Sequence, residues 1–162
     1  MKNITIRKFK SSDFDGLMEV WQLTDLGNPK RGDNLEIILQ SIGMGGQMLI
    51  AEDSNGKVIG TSWMTFDGRR IHLHHFGILP EYQRKGIGLM LAKESLKFVK
   101  MKGYQVKLEV HKENHAAIEL YKKLGFIEEG VRRESIFRNG SYQNLLAMGL
   151  LATEWRAKRQ GL

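Results

Sequence analysis

The chain has no cysteine among its 162 residues. That excludes disulfides, thiolate metal sites and a cysteine nucleophile. No apolar run approaches the ~20 residues that span a bilayer. Met1-Lys2-Asn3-Ile4 runs straight into a strand-like alternation, so neither a signal peptide nor a membrane is expected and the cytoplasm is the default location. Linkers, internal repeats and low-complexity segments are also missing. The expectation is therefore one α/β domain over 1–162, long enough to bury a real core. The five histidines have no matched carboxylate cluster. His111 and His115, four apart, straddle a strand end and a helix start, so no metal is expected.

What is present is ordinary in bulk: 41% hydrophobic and 27% charged residues. The net charge of +7 is scattered, and lysines alternate with glutamates in Lys93-Glu94 and between Glu119 and Lys123. This reads as a solvated surface or as a basic rim around a polyphosphate. A nucleic-acid-binding domain is the weaker alternative, because no basic-aromatic motif accompanies the charge.

Periodicity orders the chain. Ile4 to Lys8 alternates as an edge strand, and Ser11-Ser12-Asp13 offers helix-capping chemistry. Phe14, Leu17, Met18 and Trp21 then repeat as an amphipathic helix. A polar loop from Leu26 to Asn34 leads to a short helix, Leu35 to Ile42, broken by Gly43-Met44-Gly45-Gly46. Strands follow at Met48–Glu52, Lys57–Phe66 and Ile71–Leu79, the last two joined by an Asp67-Gly68 hairpin signal. Ile87 to Met101 is a helix closed by Gly103. Tyr104 to His111 alternates as a strand, and Asn114 caps a helix that Gly125 stops. A final hairpin turns at Asn139-Gly140, and 152–162 reads as a helical tail containing Trp155.

The most informative stretch is Gln83-Arg84-Lys85-Gly86-Ile87-Gly88, between a strand and a helix. First-turn N–H groups of a helix lack intrahelical partners and carry partial positive charge, which suits phosphate. Gly86 and Gly88 allow close approach to the backbone, and Arg84 and Lys85 add full charge. It is not a dinucleotide fingerprint, because Leu91 stands at the third glycine position, and the Gly-Lys-Ser/Thr of a Walker loop is absent. Gly43-Met44-Gly45-Gly46 precedes a strand rather than a helix and reads as a plain connection.

Phe76-Gly77-Ile78-Leu79-Pro80-Glu81-Tyr82-Gln83-Arg84-Lys85-Gly86-Ile87-Gly88 resembles motif A of the GCN5-related N-acetyltransferase (GNAT) superfamily. Leu108-Glu109-Val110, Asn114, Ala117-Ile118, Tyr121 and Gly125-Phe126 are similar to the unit that follows it. Arg138-Asn139-Gly140-Ser141-Tyr142 is also common in bacterial members. The resemblance covers about Ile4 to Leu150. It implies a mixed, mostly antiparallel twisted sheet of six to seven strands with about four helices, splayed between the fourth and fifth strands. It also implies acetyl-coenzyme A as co-substrate and transfer of its acetyl group to a primary amine of a small molecule or peptide. A homodimer is common in the family. A binding module that keeps the cofactor pocket but has lost catalysis is the alternative.

By the resemblance, backbone at Phe76, Gly77 and Ile78 holds the pantetheine arm, and Gln83, Arg84, Lys85, Gly86, Ile87, Gly88 and Leu89 hold the phosphates. Gly77 within an apolar strand reads as a bulge or close approach, or as a bare packing glycine. Tyr121 is the general acid by resemblance; from its neighbours Ala117, Leu120 and Leu124 alone it reads as a core tyrosine. Asn114 is a helix cap, with or without a cofactor contact. Glu109, on the polar face of its strand, is the first candidate for the base, through a water. His74 and His75 are rivals, since histidine titrates near neutrality. No carboxylate occurs between Ile71 and Leu79, where many members place one. Trp21, Asp25 and Tyr142 lie in segments that line the acceptor side in this fold, where acids and aromatics suit an amine.

Overall fold

The structure, a computed structural model, describes residues 3–160. Seven strands form one sheet: β1 (Thr5–Lys8), β2 (Gln47–Glu52), β3 (Val58–Phe66), β4 (Ile71–Ile78), β5 (Val106–His111), β6 (Ile127–Arg138) and β7 (Ser141–Leu150). Their order is β1-β2-β3-β4-β5-β7-β6. The helices are α1 (Phe14–Leu23), α2 (Leu35–Gly43), α3 (Ile87–Lys102), α4 (His115–Lys123) and α5 (Ala152–Gln160). The expected tail is thus seen as α5, with 161 and 162 outside the described residues. No described helix is long and apolar enough to cross a membrane.

Alternation in β3 and β4 sorts the two faces of the sheet. Ser62 meets Ser95 of α3 at 2.8 Å on one face. On the other, Trp21 of α1 donates to Thr61 at 2.9 Å, and Trp63 donates to Ser41 of α2 at 2.8 Å. Both tryptophans are buried and their rings stack at 5.8 Å. Each indole N–H has a hydroxyl partner, so neither ring carries an unpaired donor into the core.

The capping expected of Ser11-Ser12-Asp13 takes a different form. Asp13 is 6% exposed, and both its oxygens accept from the Arg7 guanidinium at 2.8 Å. Arg7 also bonds Glu52 at 2.9 Å. Asp13 also accepts from Lys10 N–H at 2.8 Å and so caps the 3₁₀ turn Ser11–Asp13, while α1 itself starts without a side-chain capping bond. Asn114 does cap α4, accepting from Ala117 N–H at 3.2 Å. Asn139 and Gly140 turn the β6–β7 hairpin with φ of 53° and 78°, both left-handed as a tight hairpin turn requires.

Two irregularities position the site. β4 and β5, the parallel pair, are joined only at Ile71↔Val106 and His72↔Lys107, and beyond His72 they part. The register of β4 on β3 slips between Gly77↔Thr61 and His74↔Trp63, so His75 and Phe76 together oppose Ser62. The bulge expected near Gly77 is therefore centred one to two residues earlier, and His75 takes φ 45° there.

Candidate active site

The turn between β4 and α3 is shaped for an anion. Gly86, at φ 80°, is the N-cap of α3, and no side chain caps the helix. The first backbone bond of the helix is Met90 N–H to Gly86 O at 3.1 Å. The N–H groups of Ile87, Gly88 and Leu89 therefore have no helical acceptor. A Cβ built on Gly86 would meet nothing within 4 Å. Arg84 is exposed at φ 57°, a backbone conformation uncommon for a side-chain-bearing residue. Among the described residues it has no ion-pair partner. Lys85 donates to Glu81 O at 2.6 Å and lies over the Tyr82 ring. The Gln83 amide turns inward and donates to Ile78 O at 2.8 Å, so it braces the turn and occupies that carbonyl. Ile87 is buried and anchors the helix start, while a Cβ on Gly88 would meet Leu120 of α4 at an ordinary contact distance of 3.7 Å.

Gly77 is a close approach: a Cβ there would lie 2.6 Å from Leu26 Cδ1 and 3.2 Å from Thr24 Oγ1. The α1–α2 connection thereby seats on β4. Phe76 turns to the α4 side, edge-on to Tyr121 at 5.9 Å. Tyr121 is buried, also packs on Phe126 at 5.5 Å, and lines an apolar cavity with Leu73, Leu96 and Val106. Burial pushes its phenol well above the ordinary range, so it holds its proton at neutral pH. Among the described residues its hydroxyl has no hydrogen-bond partner.

The opposite face carries the titratable groups. Glu109 of β5 bonds His72 Nε2 through Oε2 and meets Arg132 Nε through Oε1 at 3.3 Å. Chiefly through the His72 bond, its carboxyl is held below the usual range, with Arg132 and Lys107 adding to the effect and burial opposing it. His74 bonds Thr65 Oγ1 at 2.8 Å, and its ring lies 3.8 Å from that of His72. Burial, then the neighbouring His72 and His75, push His74 down to about 3. It is therefore neutral near pH 7. His75 pairs with Asp33 at 3.1 Å and packs on Trp21 at 4.4 Å.

The three residues expected on the acceptor side differ in role. Trp21 is 1% exposed, packed against His75 and Trp63. Asp25 is exposed and pairs with Arg138 at 3.4 Å. Tyr142 is exposed against Phe137. His111 bonds Gln143, and exposed His115 lies 3.6 Å from Glu113, so the two are engaged separately. The sequence reading did not single out His72 or Arg132. His72 had a signal in the His-x-His alternation of β4, read beside Lys-x-Glu on β5.

A splayed β4–β5 pair, an anion-binding helix start and a capped α4 carrying Tyr121 define an acyltransferase fold. The model of the Acetyltransferase (GNAT) family matches residues 16–126, and the chain belongs to that family. It is 38% identical over 85 residues to the spermidine N(1)-acetyltransferase of Escherichia coli K12, a match spanning 51% of this chain and 46% of that protein. The match thus spans less than half the length of that relative. The ribosomal-protein-S18-alanine N-acetyltransferase of E. coli superposes with a TM-score of 0.79 at 23% identity, over 93% of this chain and 94% of that one. The yncA protein of Salmonella typhimurium, solved with its cofactor acetyl-CoA, gives 0.79 at 21% identity, over 93% and 94%. These two likenesses concern the fold.

Proposed function

We propose that the chain transfers the acetyl group of acetyl-coenzyme A to a primary amine of a small molecule or peptide, with both substrates bound at once. One observation carries this reading: β4 and β5 part after His72, with Glu109 on β5 just beyond the last paired rung and the open turn at Gly86 following the end of β4. The residues fit the cofactor. Open space at Gly86, three free N–H groups and unpaired Arg84 suit its phosphates. The unpaired edge of β4 beyond His72 suits a pantetheine arm.

Acetyl-coenzyme A supplies an acetyl thioester and leaves as the thiol. Tyr121 holds a proton in apolar surroundings and is the donor to the departing sulfur. Glu109 takes a proton from the acceptor ammonium, through a water, and so exposes the nitrogen lone pair. His74, bonded to Thr65, walls the cleft, and Glu109 is preferred as base for its place on β5 just beyond the last paired rung of β4 and β5. Asn114 holds the start of α4, and with it the setting of Tyr121. The relative named for spermidine puts polyamines first among acceptors to try. A homodimer in the cytoplasm belongs to the same proposal, and light scattering on the purified protein tests its assembly.

The primary test is calorimetric titration with acetyl-coenzyme A and with its 3′-dephospho form. Saturable binding that weakens without the phosphate supports the reading. No binding at millimolar ligand overturns it. Thiol release with spermidine, free amino acids and short peptides then finds the acceptor.

A further inference from the structure

The carboxylate of Glu109 is gripped from two sides. His72, from β4, takes Oε2, and Arg132, from β6, takes Oε1 at 3.3 Å. A carboxylate oxygen has two lone pairs, so each keeps one free for a water or an amine. The His72 ring is itself fixed. It stands at the last paired rung of β4 and β5, against the ring of His74, which Thr65 holds at 2.8 Å. The two donors differ in quality. Arg132 is 56% exposed on a long flexible stem, whereas His72 is 26% exposed on a short rigid one. Only His72 has the stiffness to set the angle of the carboxylate.

We propose that His72 is the positioning residue for Glu109: its Nε2–H fixes the carboxylate at the mouth of the β4–β5 gap so that the free lone pair of the carboxylate faces the acceptor amine. The inference rests on Glu109 being the base. His72 exchanges no proton with the substrate. The ammonium N–H bond breaks, its electron pair stays on nitrogen, and the proton goes to Glu109 by way of the water. Neutral His72 in the Nε2–H form suffices, with Nδ1 unprotonated.

The test compares His72→Leu, which has no donor, with His72→Gln, whose amide N–H reaches the same place. Glu109→Gln is run alongside, all with the amine that gives the fastest thiol release. For His72→Leu, kcat is expected to fall on the order of 100-fold, with KM for acetyl-coenzyme A within about twofold of the parent. His72→Gln is expected to recover most of that loss. Parental kcat in His72→Leu, with Glu109→Gln impaired, overturns the role of His72 and leaves Glu109 as base. Parental kcat in Glu109→Gln overturns the base reading itself. A readout independent of turnover is the ¹⁵N spectrum of the imidazoles at pH 8. The parent should show His72 in the Nε2–H form, and Glu109→Gln should show a tautomer mixture. A mixture already present in the parent overturns the inference.

Discussion

His74 and His75 are sequence neighbours, yet both rings pack against Trp63, at 6.1 and 5.2 Å. In a regular strand they would point to opposite faces. The extra residue opposite Ser62, with His75 at φ 45°, turns them to the same side. His72 is there by ordinary alternation. One bulge thus gathers three imidazoles on the α1 face and leaves Phe76 to meet Tyr121 on the other.

Tyr121→Phe isolates the acid. The lost hydroxyl makes no hydrogen bond to any described residue, so folding stability should change by less than ~0.5 kcal/mol. The ring contacts with Phe76 and Phe126 remain. If the phenol protonates the leaving sulfur, kcat should fall on the order of 100-fold while acetyl-coenzyme A binding is kept. Steady-state kinetics beside calorimetry separate the two, and a variant turning over at the parental rate would remove Tyr121 from the mechanism.

Gly86 offers a graded test of the anion site. Its positive φ, not crowding, calls for glycine, since an added Cβ meets open space. Gly86→Ala should cost about 1 kcal/mol of stability through left-handed backbone strain and weaken binding of coenzyme A only modestly. Gly86→Glu places bulk and negative charge where three N–H groups point, and binding should be lost. Equal affinity in both variants, read by calorimetry, would show that the turn does not hold phosphate.

Much of this arrangement was legible in the chain. The Gln83–Gly88 turn after a strand, and Asn114 seven residues before Tyr121, have the spacings that the structure uses. Other features were not, for physical reasons. Asp13 caps the turn at Lys10, but its ion pair with Arg7 was hidden because Arg7 lies on a separate strand that only the fold brings near. Trp21 was expected on the acceptor side from the resemblance, whereas the periodicity that groups it with Phe14, Leu17 and Met18 already marked the face that is buried. The pairing of His72 with Glu109 depends on where β4 and β5 part, and no local pattern encodes that point.

The connection between α2 and β2 also hides a constraint. A Cβ on Gly46 would lie 2.5 Å from the Met64 carbonyl oxygen and 2.8 Å from that of Ser41, both backbone atoms. Gly46→Ala should destabilise by roughly 1–3 kcal/mol as β2 is forced from β3. Gly43, closing α2, has nothing within 4 Å of a built Cβ, so Gly43→Ala should be neutral or stabilising by about 0.5 kcal/mol. Urea midpoints on the two variants check the contrast, and equal midpoints would refute the close approach.

His74 predicts how stability depends on pH. Its folded value lies near 3, against about 6.5 for a free histidine, because burial and the adjacent His72 and His75 disfavour its charge. Between those values the unfolded chain binds a proton that the folded chain refuses. Stability therefore falls as pH drops through this window, at up to about 1.4 kcal/mol per pH unit. His74→Gln keeps a polar partner for Thr65 and cannot titrate. From pH 7 to pH 5 the parent should lose about 2 kcal/mol more than the variant. Urea unfolding of both proteins at the two pH values measures the difference. Parallel losses would mean that His74 is hydrated in solution, and would reopen it as a candidate for the base.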